Sequence, residues 1–362
     1  MQQLWRAGQA WNTGTVLDAA VLRANMRYAA RITRTRTAAD AARAFIQDRQ
    51  HQSYAVIAGL GPLAGGYKAG SLAVTSITSA PAGTPDTTID DAVPLGAPAG
   101  SAIGAGSPTS ALGTVVTLVT LVNTLRGPYA SGNPSKYAYL YPRPWRMTED
   151  STVVDTGAVD PFGFPVYRSD VLVVPQLLRQ RSTSPADDGG FPSGHTNAFN
   201  LAALALAYAV PERFQELVTA AYDLSHTRIV AGMHSPVDVL GGRILGTALA
   251  AATLNDPANA ALKTAARAQA ETYLEAQTHT DDLFRYAHSA TTATDPYADR
   301  ATNRKTVRPK LTYGLPSRRS GAHMTVPEGA EVLLETRLPY LSAAQRREVL
   351  RTTAVWVQLV EL

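Results

Sequence analysis

The stretch Gly189–Phe214, GGFPSGHTNAFNLAALALAYAVPERF, opens on a Pro-Ser-Gly-His turn and runs straight into a long apolar segment. A helix start leaves backbone N–H groups without partners and carries partial positive charge. A glycine-softened turn with a hydroxyl and an imidazole can therefore seat an anion there. The same residues allow a plainer arrangement, with Ser193 or Thr196 capping the helix and His195 turned to water. The run LAALALAYAV from Leu201 is too short to span a bilayer and reads as a buried core helix.

Downstream, Ser225–Arg243 reads SHTRIVAGMHSPVDVLGGR and supplies Arg228, His234 and Asp238. One helix is expected to end near Gly232 and another to start at Ser235-Pro236. Asp238 stands three residues after Ser235, so it could close a capping box, and His234 on the turn could be only a polar hinge. Upstream, Lys136–Arg146 reads KYAYLYPRPWR. Lys136 and Arg143 are seven apart, but Pro142 and Pro144 argue against one continuous helix, and the pair is expected on a turn. As isolated features, both cations could be surface charges over packed aromatics.

The rest of the chain narrows the choices. With 362 residues, 45% of them hydrophobic and 17% charged, it is globular in composition and long enough for one large or two ordinary domains. Cysteine is absent, which removes disulfides, thiol nucleophiles and Cys-ligated metal centres. A net charge of +4 is a mild basic bias that suits anionic substrates. The Arg and Lys residues form no dense block, so no nucleic-acid partner is expected. The runs from Ser110 and Val239 carry Thr, Asn or Arg243 within their apolar residues and read as core helices rather than membrane spans. The start, MQQLWRAGQAW, has no apolar signal region.

Helical spacing covers Thr15–Arg49, with a second helix starting in TAADAARAFIQDR. Residues 70–106, rich in Ala, Gly, Pro, Ser and Thr, read as a long surface loop or mobile insertion. Helix is expected again from Thr109. Residues 142–185 read as loop with isolated extended pieces, and helices dominate from His195 to Thr278, one of them capped at Asn255 or Asp256 ahead of Pro257. In the tail, MTVPEGAEVLLETRLPYL from Met324 suggests two short strands, and a Ser342–Gln345 capping box opens a last helix. The expected fold is mainly α, divided as residues 1–108 (N-terminal helices and loop), 109–280 (helical core) and 281–362 (linker and a small mixed appendage).

The three motif pieces together hold two cationic arms, a further arginine, two imidazoles, a carboxylate and a helix N-terminus. A phosphoryl-transfer site needs such a set: fixed positive charge, a nucleophile, an acid, and a group that fixes the nucleophile's tautomer. His51, His226, His279, His288 and His323 lack partners at catalytic spacing.

On these motifs the chain resembles the type 2 phosphatidic-acid phosphatase (PAP2) superfamily, which includes soluble bacterial class A acid phosphatases and vanadium haloperoxidases. The pattern K-x6-R-P, P-S-G-H, S-R-x5-H-x3-D is met by Lys136-x6-Arg143-Pro144, Pro192-Ser193-Gly194-His195 and Thr227-Arg228-x5-His234-x3-Asp238. Thr227 replaces the usual serine and keeps its hydroxyl. The resemblance covers roughly residues 110–255 and implies a helical-bundle core. It also implies that Lys136, Arg143 and Arg228, with backbone N–H groups at Ser193 and Gly194, bind phosphate oxygens. His234 would attack phosphorus, Asp238 would accept the other ring N–H, and His195 would serve as acid and then base.

The activity implied by the resemblance is that of a phosphomonoester hydrolase, an acid phosphatase with a phosphohistidine intermediate, a small phosphorylated substrate and no metal or other cofactor. Vanadate would be an inhibitor or, in the haloperoxidase alternative, the cofactor on the same residues. The phosphatase is the preferred reading because the peroxidases are generally longer chains. A non-catalytic polyanion binder is the third possibility, against which His234 and His195 are both present. The resemblance also implies a periplasmic or secreted protein whose signal is not part of this chain, although the composition suits the cytoplasm equally.

Overall fold

A computed structural model describes residues 1–114, 117–316 and 325–353. The N-terminus forms a short antiparallel pair, β1 (Trp5–Arg6) with β2 (Thr15–Val16). Helix α1 (Ala19–Thr35) follows, its first free N–H groups taken by Asp18, and it buries Val21, Leu22, Asn25, Met26, Ala29 and Thr33 along one stripe. Helix α2 (Ala38–Arg49) starts in the expected stretch, and the structure adds a Thr37–Asp40 capping box. Helix α3 (Gln52–Ala55), a 3-10 segment (Val56–Leu63) and α4 (Ala64–Ser71) complete this region.

Residues 72–114 form neither helix nor strand. The loop is nevertheless tied down: the Asp91 carboxylate accepts from the Thr75 hydroxyl and from the N–H groups of Ser76 and His51. Helix does not resume at Thr109 as expected. It begins with α5 (Leu118–Arg126), capped by Thr117. Ahead of it the Ser110 hydroxyl donates to the Ser107 carbonyl and the Leu112 N–H donates to the Gly70 carbonyl. Hydroxyl side chains there offer the backbone turns in place of a helix. Residues 115 and 116 of that reading lie outside the described residues.

Lys136 lies on a short helix, α6 (Asn133–Tyr139), and not on a turn; Arg143 follows it on extended backbone and opens a 3-10 turn (Pro144–Arg146). The expected extended pieces condense into one exposed hairpin, β3 (Asp155–Val159) with β4 (Pro165–Tyr167). Val171 and Val174 of the DVLVVP run are buried without forming a strand.

Helix α7 (Gly194–Ala209) is buried on nearly every side and forms the axis of the molecule. Around it pack α5, α8 (Phe214–Val230), α9 (Pro236–Asn255) and α10 (Ala260–Thr278), the last preceded by an Asp256-capped 3-10 turn at Pro257. Helix α9 approaches α7 closely because Gly242 and Gly246 carry no side chain. A Cβ at Gly242 would sit 2.5 Å from the Ser193 carbonyl oxygen, and one at Gly246 would sit 3.0 Å from that of Asn197. The start of α9 is fixed from α1, whose Asn25 side chain accepts the Val237 N–H at 2.8 Å. Among the described helices α9 has the length and apolarity to cross a membrane, and half of that stretch is buried in the protein.

Helices α11 (Leu283–Ala287), α12 (Arg300–Val307) and α13 (Ala343–Thr353) follow, the last with the expected Ser342–Gln345 capping box. The two tail strands do not form among the described residues; a 3-10 turn (Ala330–Leu334) stands there instead, and Met324 lies outside them. The segment rests on helices that offer no strand edge. It is held through Glu335, which accepts from Lys263 Nζ and the Tyr208 hydroxyl. The largest apolar cluster runs from Ala55 through α7 to Val332 and so draws on all three sequence segments.

Candidate active site

Every motif residue lies near the starts of α7 and α9, where three apolar clusters of the described residues meet. His234 sits on the turn between α8 and α9 and is 1% exposed. Arg143 Nη1 donates to His234 Nε2 at 2.7 Å, so this nitrogen is the ring's acceptor and the proton of the neutral ring lies on Nδ1. His234 Nδ1 faces Asp238 Oδ2 at 3.6 Å, as neighbours and beyond hydrogen-bond range. Asp238 does have the capping role its position allows: Oδ2 accepts the Ser235 N–H at 2.7 Å.

Ser193 caps α7 through its hydroxyl, which accepts the Thr196 N–H. Its own N–H donates to the Asp238 carbonyl at 2.9 Å. That corrects the expectation for this donor, because the side-by-side helix starts consume the Ser193 N–H before an anion could. Gly194 opens α7 with its Cα against Ser131, where a Cβ would lie 2.5 Å from the carbonyl oxygen. Thr227 is buried, and its hydroxyl donates to the Leu224 carbonyl at 2.6 Å.

Two carboxylates outside the motifs complete the site. Asp48, in the last turn of α2, forms a buried ion pair with Arg228, and its backbone carbonyl lies 2.9 Å from His195 Nε2. A carbonyl only accepts, so Nε2 carries a proton and Nδ1 is the ring's other working nitrogen. Asp188 accepts from Nε and Nη2 of Arg143 at 2.9 and 2.6 Å. Sequence offered a signal for Asp48 alone. It extends the buried stripe Ala41, Ala44 and Phe45 of α2, a place where a carboxylate calls for a buried cation.

Burial and the surrounding cations govern protonation. Burial, then Arg143, Arg228 and Lys136, hold the His234 imidazole well below its usual range, so it is neutral. Burial and Arg228 push His195 down to about 3. Lys136, half-buried beside Arg143, is pushed down to about 7, mainly by burial. Burial raises Asp238 to about 6 against the Ser235 hydrogen bond. Burial alone would also raise Asp48, but Arg228 and His195 outweigh it and hold it at about 2.

These shifts set the acid stability. His195 at about 3, and His51 and His226 at about 4, all lie below the ordinary 6.5, each chiefly through burial. Between those values the unfolded chain binds protons that the folded chain refuses, so stability rises with pH across that window. Asp238 acts in the opposite sense between 3.8 and about 6 and offsets one of the four, His234 being held well below its ordinary range as well. The melting temperature is therefore expected to fall as pH is lowered from about 6.5 to about 4. Melting curves followed by circular dichroism across that range would show it, and a flat or rising Tm would contradict these assignments.

Among the described residues no group of three His, Asp or Glu side chains is arranged to hold a metal ion. Residues 111–261 match the sequence model of the PAP2 superfamily. The non-specific acid phosphatase of Salmonella typhi is 44% identical over 59 residues, 16% of this chain and 24% of that protein. The non-specific acid phosphatase of Salmonella typhimurium strain LT2 is 38% identical over 79 residues, 20% of this chain and 32% of that protein. The matched stretches thus span between a quarter and a third of these relatives. The order of the three motifs, their convergence at the starts of α7 and α9, and the family match agree: residues 111–261 are similar to the PAP2 superfamily.

Proposed function

We propose that the protein is a phosphomonoester hydrolase that works without a metal, through a phosphohistidine on His234. The observation that carries this reading is the state of His234: buried, neutral, with its unprotonated Nε2 turned to Arg143 and its Nδ1 turned to Asp238. A neutral imidazole with an unprotonated nitrogen beside fixed cations, its lone pair held by Arg143 until the phosphoryl group draws that guanidinium away, is what in-line attack on a phosphoryl group requires. Arg143, Lys136, Arg228 and the Gly194 N–H hold the phosphoryl oxygens.

The His234 Nε2 lone pair forms the N–P bond while the ester P–O bond breaks, and the leaving oxygen takes a proton from His195 Nδ1. Water then gives a proton back to His195 and attacks phosphorus, the N–P bond breaks, and inorganic phosphate leaves. Asp238 stabilises positive charge on the ring between the two steps.

His195 must be protonated for the first step, yet burial and Arg228 hold it neutral in the free protein at pH 5–6. A bound phosphate dianion reverses the sign of the local field and raises the imidazole. Binding of sulfate, a tetrahedral dianion that has no proton to lose near pH 5.5, is therefore expected to take up protons. Calorimetry in two buffers of different ionisation enthalpy measures the uptake, which should shrink in His195→Asn. Sulfate binding without proton exchange in the wild type would remove His195 as the acid.

The functional assay is hydrolysis of a chromogenic aryl phosphate in the presence of chelator. Turnover should persist and be inhibited by vanadate, which adopts the five-coordinate geometry of the transition state. Activity lost to chelator and restored only by a divalent metal would contradict the proposed chemistry. Bromide oxidation with vanadate and peroxide, without phosphatase turnover, would point to the haloperoxidase alternative.

A further inference from the structure

Arg143 is held by more than its motif. Its Nη1 donates to the Met233 carbonyl at 3.1 Å and to His234 Nε2 at 2.7 Å. The opposite edge, Nε and Nη2, donates to a single oxygen of Asp188, Oδ1. The other oxygen of that carboxylate, Oδ2, accepts from Arg146 Nη1 at 3.0 Å, and the Asp188 carbonyl accepts from the same nitrogen at 3.1 Å. Arg146 is fully buried. Its guanidinium lies 4.0 Å over the Trp145 ring, and its Nη2 donates to the Ser182 carbonyl.

The carboxylate is thus held from behind by a fully buried arginine and presents one oxygen to the arginine that faces the nucleophile. The chain after Asp188 is equally constrained. The Gly190 N–H donates to the Tyr141 carbonyl at 2.6 Å, and a Cβ at Gly190 would sit 2.7 Å from the Pro142 carbonyl oxygen.

We propose that Asp188 is a positioning residue of the oxyanion site: through Oδ1 it sets the plane and height of the Arg143 guanidinium against His234 Nε2. Toward Arg143 it acts by geometry, through one well-placed acceptor, while its charge also balances the buried Arg146. The proposal rests on the phosphate-site reading of the same residues. It adds to the family's motif residues a partner 45 positions from Arg143 in the chain.

Geometry and charge are separated by three substitutions in the full chain. Asp188→Asn keeps an oxygen at Oδ1 and loses the charge and the Oδ2 acceptor, while Arg146 keeps the Asp188 and Ser182 main-chain carbonyls, so the variant's unfolding is measured beside its binding. Asp188→Glu keeps the charge and misplaces it by one methylene, and Asp188→Ala removes both. The readouts are the Kd for inorganic phosphate by calorimetry, and KM and kcat on an aryl phosphate.

Asp188→Asn is expected to bind phosphate within about threefold of wild type, and Asp188→Glu and Asp188→Ala about tenfold more weakly, with KM rising in parallel. In an Arg143→Lys background, which has no two-point donor edge, Asp188→Ala should weaken phosphate binding little further. If Asp188→Glu matches wild type while Asp188→Asn is weak, charge and not position is the role and the proposal is overturned. Additive losses in the double variant overturn it as well. Should Asp188→Ala fail to fold, the Asn and Glu variants decide alone. A wild type that binds phosphate but hydrolyses no phosphomonoester overturns the functional reading and leaves the binding series to judge Asp188.

Discussion

His234→Ala is expected to lower turnover of an aryl phosphate by a factor on the order of 10⁴ or more, with little change in fold, because it removes the group proposed to form the bond to phosphorus. The imidazole is buried, but the site around it is polar. Arg143, which loses its Nε2 acceptor, keeps the Met233 carbonyl and Asp188. Stability should therefore change far less than rate. Steady-state assays with a urea titration of the same preparation check both halves. A variant that keeps more than a tenth of wild-type turnover would exclude His234 as nucleophile.

Asp48→Ala should have the largest effect on stability. Arg228 is 1% exposed, and Asp48 supplies its carboxylate partner; removing one member of a buried pair leaves the other charged and uncompensated. The expected cost is about 3–5 kcal/mol. The backbone carbonyl that holds His195 survives the substitution, so the variant isolates the side chain. Where it still folds, phosphate affinity should fall with it, because Arg228 is then free to turn away from the site. Denaturant unfolding of wild type and variant measures the difference. A loss below about 1 kcal/mol would show that Arg228 finds another partner.

Features made within a few residues were legible in the sequence. The capping boxes at Ser235–Asp238 and Ser342–Gln345, and the Asp256 cap before Pro257, depend on side chains reaching backbone three residues away or fewer. So was the central helix, whose apolar residues face every direction. The helix expected from Thr109 was not, because Ser107 and Ser110 hydroxyls turn the backbone before Thr117 can cap α5.

The motif residues of the site were legible by type and order, but their partners were not. Asp48 is 180 residues from Arg228, and nothing near Asp188 in the chain distinguishes it from Asp187. The Ser193 N–H illustrates the same limit. Whether a helix-start donor is free depends on what packs beside it, here the first turn of α9.

On the proposed mechanism the phosphoryl group passes through a covalent bond to His234 Nε2. The direct measurement is a rapid denaturing quench of the enzyme during turnover of an aryl phosphate, kept alkaline because phosphohistidine is lost in acid, followed by peptide mass spectrometry. The predicted result is a single phosphoryl group on the peptide containing His234, formed at a rate no slower than turnover and absent from His234→Ala. Phosphoryl group on another residue, or turnover with no phosphoenzyme at any quench time and no initial burst of alcohol release, would contradict it.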